Sequence, residues 1–148
     1  MPGGRLMPRR MSCSMTVGAV RDRSKRVTRR HPDTWRDLKP GDRVTLIEKG
    51  MGLPKGARQV VLAEVEIVDV RVEPITAVFD EPDATAREGL PEMSAEQFLW
   101  FWLSGHGYRP ANPPGWVWCR GGVLERLSMV ECRRIEWRYL DEEEVAPW

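Results

Sequence analysis

One short segment brings chemistry-bearing side chains together at close spacing: Lys25-Arg26-Val27-Thr28-Arg29-Arg30. It holds an amine, a hydroxyl and several guanidiniums, and acidic residues are few around it. A Lys beside a Thr can activate a hydroxyl nucleophile, and grouped arginines hold phosphate or carboxylate through forked hydrogen bonds. If Val27 points into a strand-built core, alternation sends Arg26 and Thr28 to the opposite face, with Lys25 at the strand's entrance. The same residues also suit a solvated basic edge strand, where Lys and Arg block edge-to-edge pairing. Local composition alone favours the edge.

The elements that must position this segment are legible on both sides of it. Ser12 to Thr16 reads as a short strand, or Thr16 caps a short helix from Val17 to about Ser24 that buries Val17 and Val20. Val27 to Arg30 is a strand, and His31-Pro32-Asp33 breaks it. Trp35 and Leu38 anchor the following loop to the core. Lys39-Pro40-Gly41-Asp42 is a turn signal, Val44 to Glu48 a strand, and 49–56 a flexible loop carrying Lys49 and Lys55. Residues 59–73 give the clearest strand pattern. Val61, Ala63, Val65 and Ile67 share one face; Val68, Val70 and Val72 take the opposite phase. That switch predicts a bulge or sharp bend near Ile67–Val68, and Pro74 ends the run.

A helical turn is expected at Ala84–Gly89. Ser94-Ala95-Glu96-Gln97 fits a capping box that opens a helix to about Ser104, closed by Gly105. The six consecutive bulky residues Phe98 to Leu103 exceed one core-facing stripe, so some must cover the Trp116–Trp118 segment or a partner. Residues 106–122 read as loop. Val130 to Leu140 is the last strand, with Ile135, Trp137 and Tyr139 on one face. About five strands, one short helix and one longer one predict an α+β chain built on a small, partly open β-barrel. The expected organisation is a disordered basic extension at 1–10, one domain at 11–140 and an acidic tail at 141–148.

Composition narrows the function classes. No apolar run reaches the length of a membrane span, and the N-terminus lacks the apolar stretch of a secretory signal. Cys13, Cys119 and Cys132 form no CxxC pair. A Cys119–Cys132 disulfide is one reading, but an odd count without a signal favours reduced thiols in a cytoplasm. With only His31 and His106 beside them, the cysteines make a poor zinc set, and no metal or cofactor is expected. The net charge of +1 hides an asymmetry. Residues 1–43 hold twelve Lys/Arg against four Asp, and 44–148 hold eleven against eighteen Asp/Glu. The basic N-terminal third calls for an anionic partner, nucleic acid first, unless it is a basic tail with no specific partner.

The order of several pieces resembles the ASCH family of the PUA-like barrel superfold. They are Lys25-x-x-Thr28-x-Arg30 after a short helix, Leu38-Lys39-Pro40-Gly41-Asp42 before a strand, and the long strand at 60–72. Ala86-Arg87-Glu88-Gly89-Leu90 then precedes the Ser94 helix, and Arg134-Ile135-Glu136-Trp137-Arg138-Tyr139-Leu140 closes the chain. The Lys49–Leu53 loop and the closing strand resemble the subset common in phages and prophages. The chain departs from the pattern in its longer, Trp-rich 106–129 segment and its basic extension.

The resemblance implies an RNA-binding module, with a cleft beside the barrel that receives RNA or a modified nucleotide. Arg26, Arg29, Arg30 and Lys49 would supply phosphate contacts, and Trp35 or Trp116 would stack on a base. It also implies an alternative, since some small bacterial proteins that the chain resembles are amidohydrolases acting on N4-acetylcytidine. Their catalytic Lys, Thr and Glu match Lys25, Thr28 and Glu88. Thr28 would be the nucleophile and Lys25 its proton acceptor. Glu88 would position the amine or shuttle a proton, and Arg30 would hold an oxyanion or phosphate. The competing reading of the trio is a structural ion-pair network without chemistry.

Overall fold

The computed structural model describes residues 9–50 and 52–142. Its main element is a curled five-stranded sheet, a half-barrel, built from β1 (Arg9–Ser12), β2 (Val27–Arg30), β3 (Arg43–Ile47), β4 (Val61–Pro74) and β8 (Glu131–Tyr139). The strand order is β1-β3-β4-β8-β2, and only the β1–β3 pair is parallel. The expected α+β class with a partly open, barrel-like sheet is what the chain forms.

The phase switch in β4 is a register break. Ile67 pairs with Trp137 and Asp69 with Glu136, so Val68 is left over as a bulge. Before it, Ala63, Val65 and Ile67 are buried; after it, Val70 turns toward the core while Val68 and Val72 stay exposed. The bend lets one 14-residue strand pair with β3 at one end and with β8 along most of its length. The concave core beneath contains Met11, Val20, Leu38, Val44, Leu46 and, from β8, Ile135, Trp137 and Tyr139.

Three boundaries differ from the sequence reading. Arg9 and Arg10 belong to β1, where they pair with Val44 and Thr45, so they are part of the sheet and not of a disordered extension; the rest of the expected extension lies outside the described residues. The first helix, α1 (Val17–Arg21), is only five residues long, and Thr16 makes no side-chain capping bond. Residues 106–122, read as loop, contain two strands that a third joins just beyond them. β5 (Arg109–Pro110), β6 (Trp116–Trp118) and β7 (Leu124–Arg126) form a second, antiparallel sheet. Strands of two or three residues among Pro and Gly show no alternation to read.

Helix α2 (Ala84–Arg87) is the expected turn, and α3 (Ala95–Gly105) opens with the full capping box. The Ser94 side chain accepts from the Gln97 amide at 3.1 Å, and Gln97 accepts from the Ser94 amide at 2.8 Å. The apolar run on α3 divides as its length requires. Phe98, Leu99, Trp102 and Leu103 are buried in a second core with Val117 of the small sheet, and Trp100 packs at its margin. Phe101 remains exposed. No helix among the described residues is long and apolar enough to cross a membrane.

Candidate functional site

A cleft of about 620 Å³ opens between β2, α2, α3 and the segment after β1. That volume is within the usual range of small-molecule sites. Lys25, Thr28, Arg29, Arg30 and Glu88 all line it, so two segments about sixty residues apart meet at one place. Phe98, Phe101 and Trp102 supply an aromatic wall from α3, and Ser12 to Thr16 also line the cleft.

Lys25 and Glu88 are each about 95% buried and lie side by side. Lys25 Nζ donates to the Glu88 main-chain carbonyl at 2.5 Å and stands 3.8 Å from Glu88 Oε1. Burial pulls the Lys25 pKa below the ordinary lysine value, and the Glu88 charge opposes that shift only in part. The backbone of Lys25 is pinned from β8: its carbonyl accepts from Trp137 Nε1 at 3.1 Å and from the Tyr139 hydroxyl at 2.5 Å. The two aromatic residues that close the sheet thus fix the entrance of β2.

Glu88 caps the end of α2 and is placed by its neighbour. Gly89 sits at φ +85°, and a Cβ there would lie 2.9 Å from the Cβ of Ala19 and 3.2 Å from Thr16. Only glycine meets both conditions without strain, and the close approach it allows seats α2 on α1. The Arg26 amide also donates to the Arg87 carbonyl at 2.7 Å, tying the two halves of the site together. The other Glu88 oxygen accepts from Arg29 Nη1 at 2.8 Å.

Arg29 belongs to a buried charge network rather than to an open binding surface. Its Nη2 donates to Glu81 at 2.9 Å, and Arg134, its partner across the β2–β8 ladder, donates to the same carboxylate at 2.6 Å. Burial alone would raise the Glu81 pKa. The Arg134 hydrogen bond and the charges of Arg29, Arg134 and Arg87 outweigh it and hold that pKa below the ordinary carboxylate value. Two like charges facing each other across a ladder are destabilising unless a carboxylate bridges them, and Glu81 is that bridge. Neither Glu81 nor Arg134 was singled out from the sequence: an Arg at an alternating strand position reads as solvent-facing, and nothing in spacing reveals a carboxylate arriving from 53 residues away.

Thr28 is 5% exposed, lines the cleft, and its hydroxyl makes no hydrogen bond with any described residue. Arg30 also lines it and donates one Nη to the Ser12 carbonyl at 2.6 Å. The remaining sequence-selected residues lie elsewhere. Arg26 pairs with Glu142 at 2.7 Å on the outer surface, and Asp141, at the start of the expected frayed tail, pairs with Arg23. Lys49 is exposed in the loop after β3. Trp35 is half-buried against the core with the Arg9 guanidinium 4.0 Å above its ring, and Trp116 is capped in the same way by Arg126 at 4.9 Å.

Two residues at the cleft went unselected in the sequence. Trp102 donates its Nε1 to the Arg29 carbonyl at 3.0 Å, which docks α3 onto β2. His106 stacks on Trp102 with ring centroids 3.9 Å apart. No group of His, Cys, Asp and Glu among the described residues is arranged to hold a metal ion, and all three cysteines are free thiols.

No family model matches the sequence, and no curated protein is similar to it. Among solved structures, the fold is similar to the crystal structure of hypothetical protein PH0355. The TM-score is 0.53 and the identity 16%, covering 90% of this chain and 100% of that one. At that identity the likeness speaks for a shared fold with a small barrel-like sheet, and for the fold alone.

Proposed function

We propose that this is an ASCH-type, PUA-like nucleic-acid-binding protein that takes one modified nucleotide into the cleft over Lys25, Thr28 and Glu88. One observation carries the reading: a buried amine, a buried carboxylate and a hydroxyl with no partner among the described residues line one cleft of ligand size beside an aromatic wall. Such a floor offers donors and acceptors to the polar edge of a base, and the wall offers faces for stacking. The basic strand contributes less than its composition promised, since Arg29 is engaged by Glu81 and Glu88 and Arg26 by Glu142. Recognition on this reading is of a single base in a cleft, not of a backbone lying along β2.

The test is titration calorimetry with N4-acetylcytidine and other modified nucleosides. Saturable one-to-one binding is expected, weakened about tenfold or more by Lys25→Met or Thr28→Val, as loss of one hydrogen bond in a desolvated site predicts. A folded protein that binds none of the panel contradicts the reading.

A second reading, amide hydrolysis, is favoured by the lowered Lys25 pKa in the same cleft as a hydroxyl with no hydrogen-bond partner among the described residues. Neutral Lys25 would take the Thr28 proton as Thr28 Oγ attacks the acetyl carbon of N4-acetylcytidine. The C–N bond would then break, with Lys25 returning the proton to N4, and water would release acetate from the acyl-threonine. Arg30 would face the developing oxyanion. Acetate release that Thr28→Val abolishes while binding persists supports this reading; binding without turnover leaves the first reading alone.

A further inference from the structure

A second cavity of about 360 Å³ adjoins the cleft, and the two share Gly105 and His106 in their walls. Its remaining lining is His31, Tyr108, Cys119 and Arg120. Arg120 differs from the cations of the first cleft, which are bound to carboxylates or carbonyls. It forms no hydrogen bond or ion pair with any described residue. The residue is exposed to solvent, and part of its side chain rests against Gly107. A Cβ at Gly107 would lie 3.0 Å from Arg120 Nε and 3.3 Å from its Cβ, so the chain of Arg120 lies across the bare backbone of Gly107, which sits at φ +85°.

The two imidazoles of this cavity have opposite roles. His31 Nδ1 accepts from the Asp33 amide at 3.1 Å, so a neutral His31 carries its proton on Nε2 and donates from there. His106 Nδ1 lies 2.7 Å from the Trp102 carbonyl, an acceptor, and must therefore donate to it, leaving Nε2 of the neutral ring as an acceptor. Burial lowers the His106 pKa below the ordinary imidazole value and so favours the neutral ring; the bond to the Trp102 carbonyl opposes this, and His31 and Arg30 add to the lowering. The rings are 6.2 Å apart. His106 lines both cavities while His31 and Arg120 line the second alone, so a ligand spanning the two would pass an acceptor residue before two donor residues. Asp33 is the one carboxylate paired with His31, 3.7 Å from Nδ1 and mostly exposed.

That order of polar groups matches a nucleotide read from base to phosphate: the ribose hydroxyls can donate to an acceptor, and a phosphate needs donors and a guanidinium. We infer that the second cavity is a phosphate subsite, so that the ligand is a nucleotide whose base occupies the first cleft, whose ribose crosses at His106 and whose phosphate meets His31 and Arg120. The inference rests on the nucleoside reading of the first cleft, but the anion site has its own test. A free 5′-monophosphate and a phosphodiester within a strand present the same chemistry here.

Titration calorimetry would compare N4-acetylcytidine, its 5′-monophosphate and a trinucleotide containing it, on the native protein and on Arg120→Gln. The monophosphate is expected to bind about tenfold tighter than the nucleoside, as one charge-assisted contact predicts, and Arg120→Gln to bring that ratio close to one. In parallel, inorganic phosphate is titrated while the His31 and His106 ring protons are followed by NMR. A saturable shift at His31, lost in Arg120→Gln, is expected. A trinucleotide tighter than the monophosphate assigns the subsite to a strand, and the reverse order to a free nucleotide. Equal affinity of nucleoside and monophosphate, or a gain that Arg120→Gln preserves, overturns the inference. If phosphate shifts His31 through Arg120 while no nucleoside binds, the anion site stands and the reading of the first cleft falls.

Discussion

Glu88→Gln separates a site that depends on a buried carboxylate from one that merely contains it. Glu88 is the shared counter-charge of Lys25 and Arg29, at 3.8 Å and 2.8 Å, and all three side chains are at least 95% buried. Removing one partner of a buried ion pair strands the other and costs about 3–5 kcal/mol. Two features place this substitution at the lower end. Arg29 keeps Glu81 at 2.9 Å, and Lys25 keeps its bond to the main-chain carbonyl of residue 88 and can release its proton. A loss of about 3 kcal/mol follows, which at a urea dependence of about 1.5 kcal/mol per molar lowers the unfolding midpoint by about 2 M. Circular dichroism against urea measures it. Gln has the same shape, so packing is preserved and the shift reports charge. A midpoint lowered by less than about 0.5 M would refute the view that Glu88 anchors the two cations.

The other predictions concern pH, thiols and glycines. The Lys25 pKa lies below the unfolded-chain value of about 10.4, so between the two values the unfolded chain binds the extra proton and native stability rises with pH. The stability of the native protein relative to Lys25→Met should therefore climb toward pH 10, and a flat difference would contradict the burial of a charge-sensitive amine. Burial pushes the Cys132 thiol up to about 12, so the folded chain holds that proton longer and stability falls above about pH 9. Cys132→Ala should lose less over pH 9–11 in thermal melts, and in the native protein a thiol reagent should label half-buried Cys119 before Cys13 or Cys132. Gly89→Ala should lower stability by about 2 kcal/mol or more through strain and overlap with Ala19. Gly18→Ala, in open space on α1, should raise it by about 0.5–1 kcal/mol; equal effects would remove the argument for a close approach at Gly89.

The sequence pointed to residues that line one cleft more clearly than it revealed their surroundings. Lys25, Thr28 and Glu88 were selected together, on the family resemblance, and they meet in the cleft because β2 and α2 are tied by the Arg26–Arg87 backbone bond and by Lys25 itself. The bulge in β4 was legible because a period-two pattern cannot change phase without an extra residue. The burial of Arg29 was not. Strand alternation treats an Arg as outward-facing, and the carboxylates that neutralise it arrive from the bend at Glu81 and from Glu88 at the end of α2. The second sheet was hidden by the shortness of its strands, and His106 and Arg120 by sitting in a Pro- and Gly-rich stretch where nothing marks which side chains converge. Local pattern reveals elements; it says little of the charge that tertiary contacts bring to each one.

The central claim is that one nucleotide base lies over Lys25, Thr28 and Glu88. A crystal soaked with N4-acetylcytidine tests it most directly. The account predicts density for the base within hydrogen-bonding distance of Lys25 and Thr28, stacked against the Phe98, Phe101 and Trp102 wall. Ligand density elsewhere on the surface with this cleft empty, in a crystal where the cleft is open to solvent, would contradict it.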